Sequence, residues 1–344
     1  MNQEHLIKLG KDNDKDGSWL SRATKALIGV GVSVVFVVIT LRGVDLTQVR
    51  AHLGEINTTT LLPVFMSLSL VFLIKAFRWW YLMLPVKRFS FKRIFIATVI
   101  GFMVNNVLPL RGGDLLRAHL LGRQENIGTT TIFATVALDR VFEVLSLLTV
   151  SLLMLFLIPL PGWMWDSVII LVIAFLCGVI AIAAFLSPPK LIGKWWKYLV
   201  SLLPSNLEGA VSKFTRQARI GLDAGSGKIR LTNLYILAVS ESAVTGFLVY
   251  YSLKMIGIEL TLAAVMSVMI AMNLAVILPA APANIGVFEF AVMTTLEFFQ
   301  FNKSIALSGA VILHAISIIP VSLLGFILFL KEWIMPKEVE GVLK

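Results

Sequence analysis

Long, nearly uncharged apolar runs alternate with short polar connections along most of this chain. The runs extend over Ala26 to Leu41, Leu61 to Leu84, Ile94 to Leu110, about Ile127 to Ile158, Ser167 to Leu186, Leu231 to Leu253, Leu260 to Pro279 and Ser304 to Leu330. Most are close to the ~20 residues that an α-helix needs to cross a hydrocarbon layer, and they are apolar on every face instead of along one stripe. The pattern therefore predicts an all-α polytopic integral membrane protein with eight hydrophobic segments. Residues 1–22 and 332–344 read as short polar tails flanking a membrane domain over 23–331. Asp12, Asp14, Asp16 and Gly17 follow the order of a calcium loop, but Ala23 stands where a bidentate glutamate is required, so the stretch reads as tail. No small-residue cleavage site follows Leu41, and the first run reads as an uncleaved signal anchor. Pro188 to Arg230 is the one long polar connection. There Lys190, Lys194 and Lys197 share a helical face while Leu191, Trp195, Tyr198, Leu199 and Leu202 fill much of the rest, as in a helix lying on the cytoplasmic leaflet.

Two runs end in irregular, polar breaks. The first, Asn105 to Arg123, places Asn106, Arg111, Gly112, Gly113, Asp114 and Arg117 directly after an apolar segment. Irregular backbone at membrane depth must be buried in protein or line a wet cavity. Gly112 and Gly113 free the chain to turn, and Asp114 is placed to cap a helix from Leu115, whose N-terminus with Arg111 and Arg117 suits an anion such as phosphate. A plain cytoplasmic loop obeying the positive-inside rule is the alternative. The second break, Asn273 to Ala291, repeats the order: an asparagine, a Leu-Pro pair, an irregular stretch, then a new helix with an acid, Glu289, in its first turns. Asn284 is the expected cap there.

Charge inside the spans is costly and marks function by default. Lys75 and Arg78 share a helix face at three-residue spacing, as do Arg140 and Glu143, beside Asp139. Headgroup contact, snorkelling and a structural ion pair are the competing uses of these groups. Glu241 is a lone acid in its span, and His314 a lone histidine, read as a hydrogen-bonded core residue.

Composition narrows the classes. The chain is 58% hydrophobic and 15% charged, with mean hydropathy +0.88, too apolar for a soluble fold. Its net charge of +10 sits in the connections between spans, where it sets orientation and meets anionic headgroups, so no nucleic acid is expected as partner. The single cysteine, Cys177, and four scattered histidines support neither a disulfide framework nor a metal site, and no cofactor is expected.

Charge bias also selects a topology. Eight full crossings with the N-terminus inside put the basic Pro188 to Arg230 connection outside. With both breaks read as re-entrant hairpins entering from opposite faces, six full spans remain, both termini are cytoplasmic, and the basic loops all face the cytoplasm of a plasma or inner membrane. Two oppositely directed broken segments are the pattern of an inverted repeat with its site between the hairpin tips.

At LPLRGGDLLRAHLL, then ATVALDRVFEVL, then ILPAAPANIGVFEFAV, the chain resembles the transmembrane region of the lysylphosphatidylglycerol synthase family, also known as the UPF0104 or flippase-like group. The likeness runs from Ala23 to Leu330 and includes Arg78 and Trp79. It points to Arg111, Gly112, Gly113, Asp114 and Arg117, to Asp139, Arg140 and Glu143, and to Pro279, Gly286 and Glu289. Members often carry a Pro-Gly step where Ala281 to Asn284 reads APAN here. The resemblance implies the lipid-translocating half without the aminoacyltransferase. The expected activity is movement of an anionic phospholipid or lipid-linked glycan between leaflets, with membrane lipids as partners, a homo-oligomer compatible with it, and no catalysis. Lys75, Arg78, Asn106, Arg111, Gly112, Gly113, Asp114, Arg117, Asp139, Arg140, Glu143, Asn273 and Glu289 are the expected substrate-contacting residues. A membrane lipid transferase and a scaffold for a glycolipid or polyprenyl-phosphate enzyme are the rival readings.

Overall fold

The computed structural model describes residues 31–108, 112–125, 127–155, 173, 176–177, 227–276 and 281–333. The N-terminal tail, Pro109 to Arg111, most of 156–226 with its basic amphipathic stretch, and Pro279 lie outside them. Every regular element among the described residues is helical. In chain order these are α1 (Gly31–Leu41), α2 (Leu46–Gly54), a 3-10 turn (Thr58–Thr60), α3 (Leu61–Met83), α4 (Phe91–Val107), α5 (Gly112–Glu125), α6 (Thr129–Leu155), α7 (Gly227–Lys254), α8 (Leu262–Ala275), a second 3-10 turn (Pro282–Asn284), α9 (Val287–Phe298) and α10 (Lys303–Trp333).

Among the described residues, three helical stretches are long and apolar enough to cross a membrane: Thr58–Met83, Ile229–Lys254 and Lys303–Glu332. Their outward faces keep large apolar side chains such as Leu62, Phe65 and Phe247 exposed, as lipid-facing surfaces do. α6 is 27 residues long and would span by length, but it carries Asp139, Arg140 and Glu143. α1 bends by 89° into α2, which is short and largely solvent-facing, with only Val49 buried. At that corner Asp45 caps α2, its Oδ1 accepting from the Thr47 and Gln48 N–H groups at 2.9 and 3.4 Å.

The legs around the breaks are shorter than the sequence suggests. α4 has 17 residues and α8 has 14, or ~26 and ~21 Å at 1.5 Å per residue, against a hydrocarbon core of ~30 Å. The helices after the breaks, α5 and α9, have 14 and 12 residues. α4 packs on α5, and α8 on α9. The first pair touches backbone to backbone: a Cβ added to Gly113 would lie 1.9 Å from the Gly101 carbonyl oxygen. Only glycine permits that approach.

Two apolar clusters organise the packing. One joins Trp79, Leu82, Ile94, Leu121, Ile132 and Leu234 from α3 to α7, and the other joins Val49, Val249, Val268, Phe288, Leu296 and Leu313 from α2 and the C-terminal helices. α4 and α10 also meet closely, with Gly325 against Met103 and Val99.

Candidate functional site

The charges of α3, α5, α6 and α7 converge on one network beside the first break. Lys75 and Arg78 lie one turn apart on α3 and so point the same way. Asp139 and Glu143, four residues apart on α6, face them, and Glu241 of α7 closes the ring. Arg78, fully buried, donates Nε to Asp139 Oδ1 at 2.6 Å, Nη1 to Glu241 Oε2 at 2.5 Å and Nη2 to Glu143 Oε1 at 3.1 Å. Lys75 Nζ lies 2.8 Å from Glu143 Oε1 and 2.6 Å from Glu241 Oε1. On the side of the break, Arg140 clamps Asp114 with two nitrogens, at 3.0 and 2.8 Å, and reaches Glu143 Oε2 at 2.5 Å. Phe102 of α4 lies under both Lys75 and Arg140, at 5.2 and 5.4 Å to its ring centre.

Arg117 is different. It is 1% exposed, yet its Nε and Nη2 have no hydrogen-bond partner, and its nearest carboxylate oxygens, on Asp114 and Asp139, stand 3.5 and 3.7 Å away. Its guanidinium rests 4.7 Å over Trp79, whose indole N–H donates to Thr135 Oγ1 at 3.1 Å. The aromatic face holds the arginine in place while leaving its donor edge unspent. Lys75, Arg78, Arg117 and Arg140 thus meet Asp114, Asp139, Glu143 and Glu241 in a network whose formal charges cancel. Burial on this scale is tolerable only because each ion is paired.

The start of α5 is held from α4. Asn105 Oδ1 accepts from the Gly113 N–H at 2.9 Å and its Nδ2 donates to Asp114 Oδ1 at 3.3 Å. The expectation that Asp114 caps a helix from Leu115 is corrected: α5 already begins at Gly112, and Asp114, within its first turn, serves Arg140. Asn106 turns the other way and donates to Ser322 Oγ of α10 at 3.0 Å. Arg111 lies outside the described residues.

The second break holds a separate polar group. Ala283 and Asn284 take left-handed backbone angles, φ 59° and 57°, and Gly286 follows at φ 87°. Gly286, not Asn284, precedes the first residue of α9, because Glu289 Oε2 accepts the Gly286 N–H at 2.7 Å. Glu289 Oε1 lies 2.5 Å from His314 Nδ1, and His314 Nε2 lies 2.8 Å from the Ala283 carbonyl oxygen. Phe288 stacks on the imidazole at 4.2 Å. Asn273 is exposed and its amide folds back onto the Met269 carbonyl of its own helix at 2.8 Å.

The residues singled out from sequence therefore divide. Lys75, Arg78, Asp114, Arg117, Asp139, Arg140 and Glu143 come together around Gly112 and Gly113, whereas Asn106, Asn273 and Glu289 sit elsewhere. Three contributors have little local signal: Glu241, whose partners are 163 and more residues away, Phe102, and Asn105, next to the asparagine that sequence favoured.

A bundle of apolar helices enclosing a neutral but densely charged network beside a Gly-Gly break defines a polytopic membrane protein with a buried polar site. The chain belongs to the family described as the lysylphosphatidylglycerol synthase TM region, whose model matches residues 26–325. Among its relatives are two UPF0104 membrane proteins of Methanocaldococcus jannaschii. One is 27% identical over 173 residues, 49% of this chain and 51% of the relative, and the other 25% identical over 232 residues, 66% and 92%. The glycosyltransferase AglD of Haloferax volcanii is 25% identical over 253 residues, 64% of this chain and 40% of that protein. The chain thus spans about half the length of the first of these and less of the glycosyltransferase.

Proposed function

We propose that this protein moves an anionic phospholipid or lipid-linked glycan between the leaflets of the cytoplasmic membrane. The observation that carries the reading is Arg117, a buried cation with two undirected donors inside a network where the other cations are hydrogen-bonded to carboxylates. A headgroup phosphate supplies the acceptors that Arg117 lacks, and charge-assisted bonds to it are short and strong. Arg111, from the same motif, and the N-terminus of α5 add further attraction for an anion. Glu143 bridges Lys75, Arg78 and Arg140 and is the group that exchanges partners as a phosphate enters. The acyl tails stay in lipid, so only the headgroup needs the polar path, and no bond is made or broken.

In this reading α4 with α5, and α8 with α9, are the two re-entrant hairpins of an inverted repeat with six full spans, and both termini are cytoplasmic. Their short lengths, their mutual packing and the contact of α4 with the Pro282–Asn284 turn support it.

The test is leaflet exchange of labelled anionic lipids in liposomes, with wild type and Arg117→Met at matched reconstitution. Loss of charge-assisted bonds worth roughly 1.5–3 kcal/mol lowers exchange about tenfold or more. Exchange unchanged by Arg117→Met, or absent from wild type across a panel that includes polyprenyl-phosphate glycolipids, removes the proposal.

The likeness to a glycosyltransferase over 253 residues favours a second reading, support for an enzyme of lipid-linked glycan assembly. That role predicts normal function of Arg117→Met in cells and loss on neutralising the basic stretch around Lys190, Lys194 and Lys197.

A further inference from the structure

Glu289 and His314 lie outside the charged network, and their bonding fixes where protons must be. The Ala283 carbonyl only accepts, so His314 Nε2 carries a hydrogen. Glu289 Oε2 is occupied by the Gly286 N–H, which only donates. The remaining contact, Nδ1 to Oε1 at 2.5 Å, closes with one shared proton. With none, a lone pair faces a carboxylate. With two, the carboxyl O–H competes with a donor on one oxygen or the other. The arrangement is complete in a single protonation state.

What the pair holds shut is the second break. His314 ties Ala283, a left-handed non-glycine residue, to α10, and Glu289 ties Gly286 to α9. A Cβ on Gly286 would meet the Ser33 carbonyl oxygen of α1 at 2.7 Å, so this turn is also wedged against the first helix. The charged surroundings are sparse. α1 and α8 contain no ionisable residue; α9 adds Glu297, two turns on from Glu289; α4 has Lys92 and Arg93 at its start. On α10 the others are Lys303, three turns before His314, and Lys331 with Glu332 near its end. Of the further helices on α10, α7 carries Lys228, Arg230, Glu241 and Lys254, and α2 carries Arg50 and His52. Glu289 and His314 bond to each other and to the backbone of Gly286 and Ala283, so the proton is bound by the pair itself.

We infer that Glu289 and His314 form a proton-binding site whose loading with a second proton releases the Ala281–Gly286 turn, coupling proton uptake to the lipid movement proposed above. The coupling rests on that proposal; the proton site does not. The transported species at this site is H⁺, which binds Glu289 on one side and leaves from it on the other, with no other bond changed.

The experiment is hydrogen exchange of the segment 281–290 in the full-length protein in nanodiscs, from about pH 8 to about pH 5, corrected for the intrinsic pH dependence of exchange. One-proton linkage makes opening rise about tenfold per pH unit below the loading point. Glu289→Gln combined with His314→Gln keeps an amide donor for the Ala283 carbonyl and an acceptor for Gly286 but carries no titratable group, so its segment exchanges with no acid rise. His314→Phe preserves the stack but loses the tie, and its segment exchanges fast at every pH. A wild-type profile that is flat, or a double-variant profile that rises as wild type does, overturns the site. Lipid exchange that proceeds with the same pH profile in wild type and the double variant overturns the coupling. Absence of lipid exchange in all forms counts against translocation, while hydrogen exchange still decides the proton site.

Discussion

Arg78 is a residue whose value lies in what its absence would strand. It satisfies Asp139, Glu143 and Glu241 from a fully buried position. Replacing it with methionine keeps the volume but leaves Asp139, itself 2% exposed, without its closest cation. Breaking a buried pair this way costs about 3–5 kcal/mol, so Arg78→Met should lower the unfolding midpoint in detergent sharply, whereas Arg117→Met, which removes no hydrogen bond to a carboxylate, should lower it much less. A larger loss in the Arg117 variant would show that the two arginines have been assigned the wrong way round. Arg140 and Glu143 were readable as partners because three-residue spacing on a helix makes them neighbours, and the structure puts them 2.5 Å apart. Glu241 looked solitary because the cations it meets, Lys75 and Arg78, belong to a helix far away in sequence. The undirected donors of Arg117 were beyond reach for the same reason, since they depend on how Arg78 and Arg140 share the carboxylates.

At the level of elements, glycine and asparagine decide how α4 meets α5. Gly113→Ala would drive a methyl group to within 1.9 Å of the Gly101 carbonyl, and the helices must separate to admit it; overpacking of this kind costs about 1–3 kcal/mol. Gly101→Ala meets only 3.1 and 3.2 Å contacts and should be milder, a ranking that thermal unfolding of the two variants checks. Sequence identified the break, its glycines and the new helix after it. It misassigned the cap, because Asp114 has the right chemistry for an N-cap, and only the third dimension brings Asn105 to Gly113 and Arg140 to Asp114. Elsewhere, Asp45 at the α1–α2 corner is held below its usual pKa by the Thr47 and Gln48 backbone N–H groups. Its contribution to α2 is therefore present above the unfolded value of about 3.9 and lost as pH falls through the lower folded value. Hydrogen exchange in Leu46–Gly54 should rise under acid in wild type, and Asp45→Ala should show that rise already at neutral pH.

For the whole molecule, the arrangement of spans makes an orientation testable. The start of α4, with Lys92, and the start of α10, with Lys303, fall on opposite faces when the two breaks are hairpins. With Cys177 replaced by serine, single cysteines at positions 92 and 303 should react with a membrane-impermeant maleimide from opposite sides, position 303 from outside in intact cells. Labelling of both from one side would discard the six-span arrangement. Hydropathy marked the apolar runs but not the helix lengths: the run Leu260 to Pro279 reads as ~20 residues, yet α8 within it has only 14, because helix length is set by where the backbone leaves the helix.

The N-terminal helices finish their bonding with residues made far later. Ser33 Oγ of α1 accepts the Ala281 N–H at 2.8 Å, and Ser304 Oγ accepts the Asp45 N–H at 3.2 Å, across 248 and 259 residues. Val49 packs with Val249, Phe288 and Leu313. During synthesis, then, α1 leaves the ribosome 248 residues or more ahead of the partners that complete its bonding. A chain interrupted before α9 therefore leaves α1 and α2 without the partners that satisfy Ser33 and Asp45, an orphan for membrane quality control to remove.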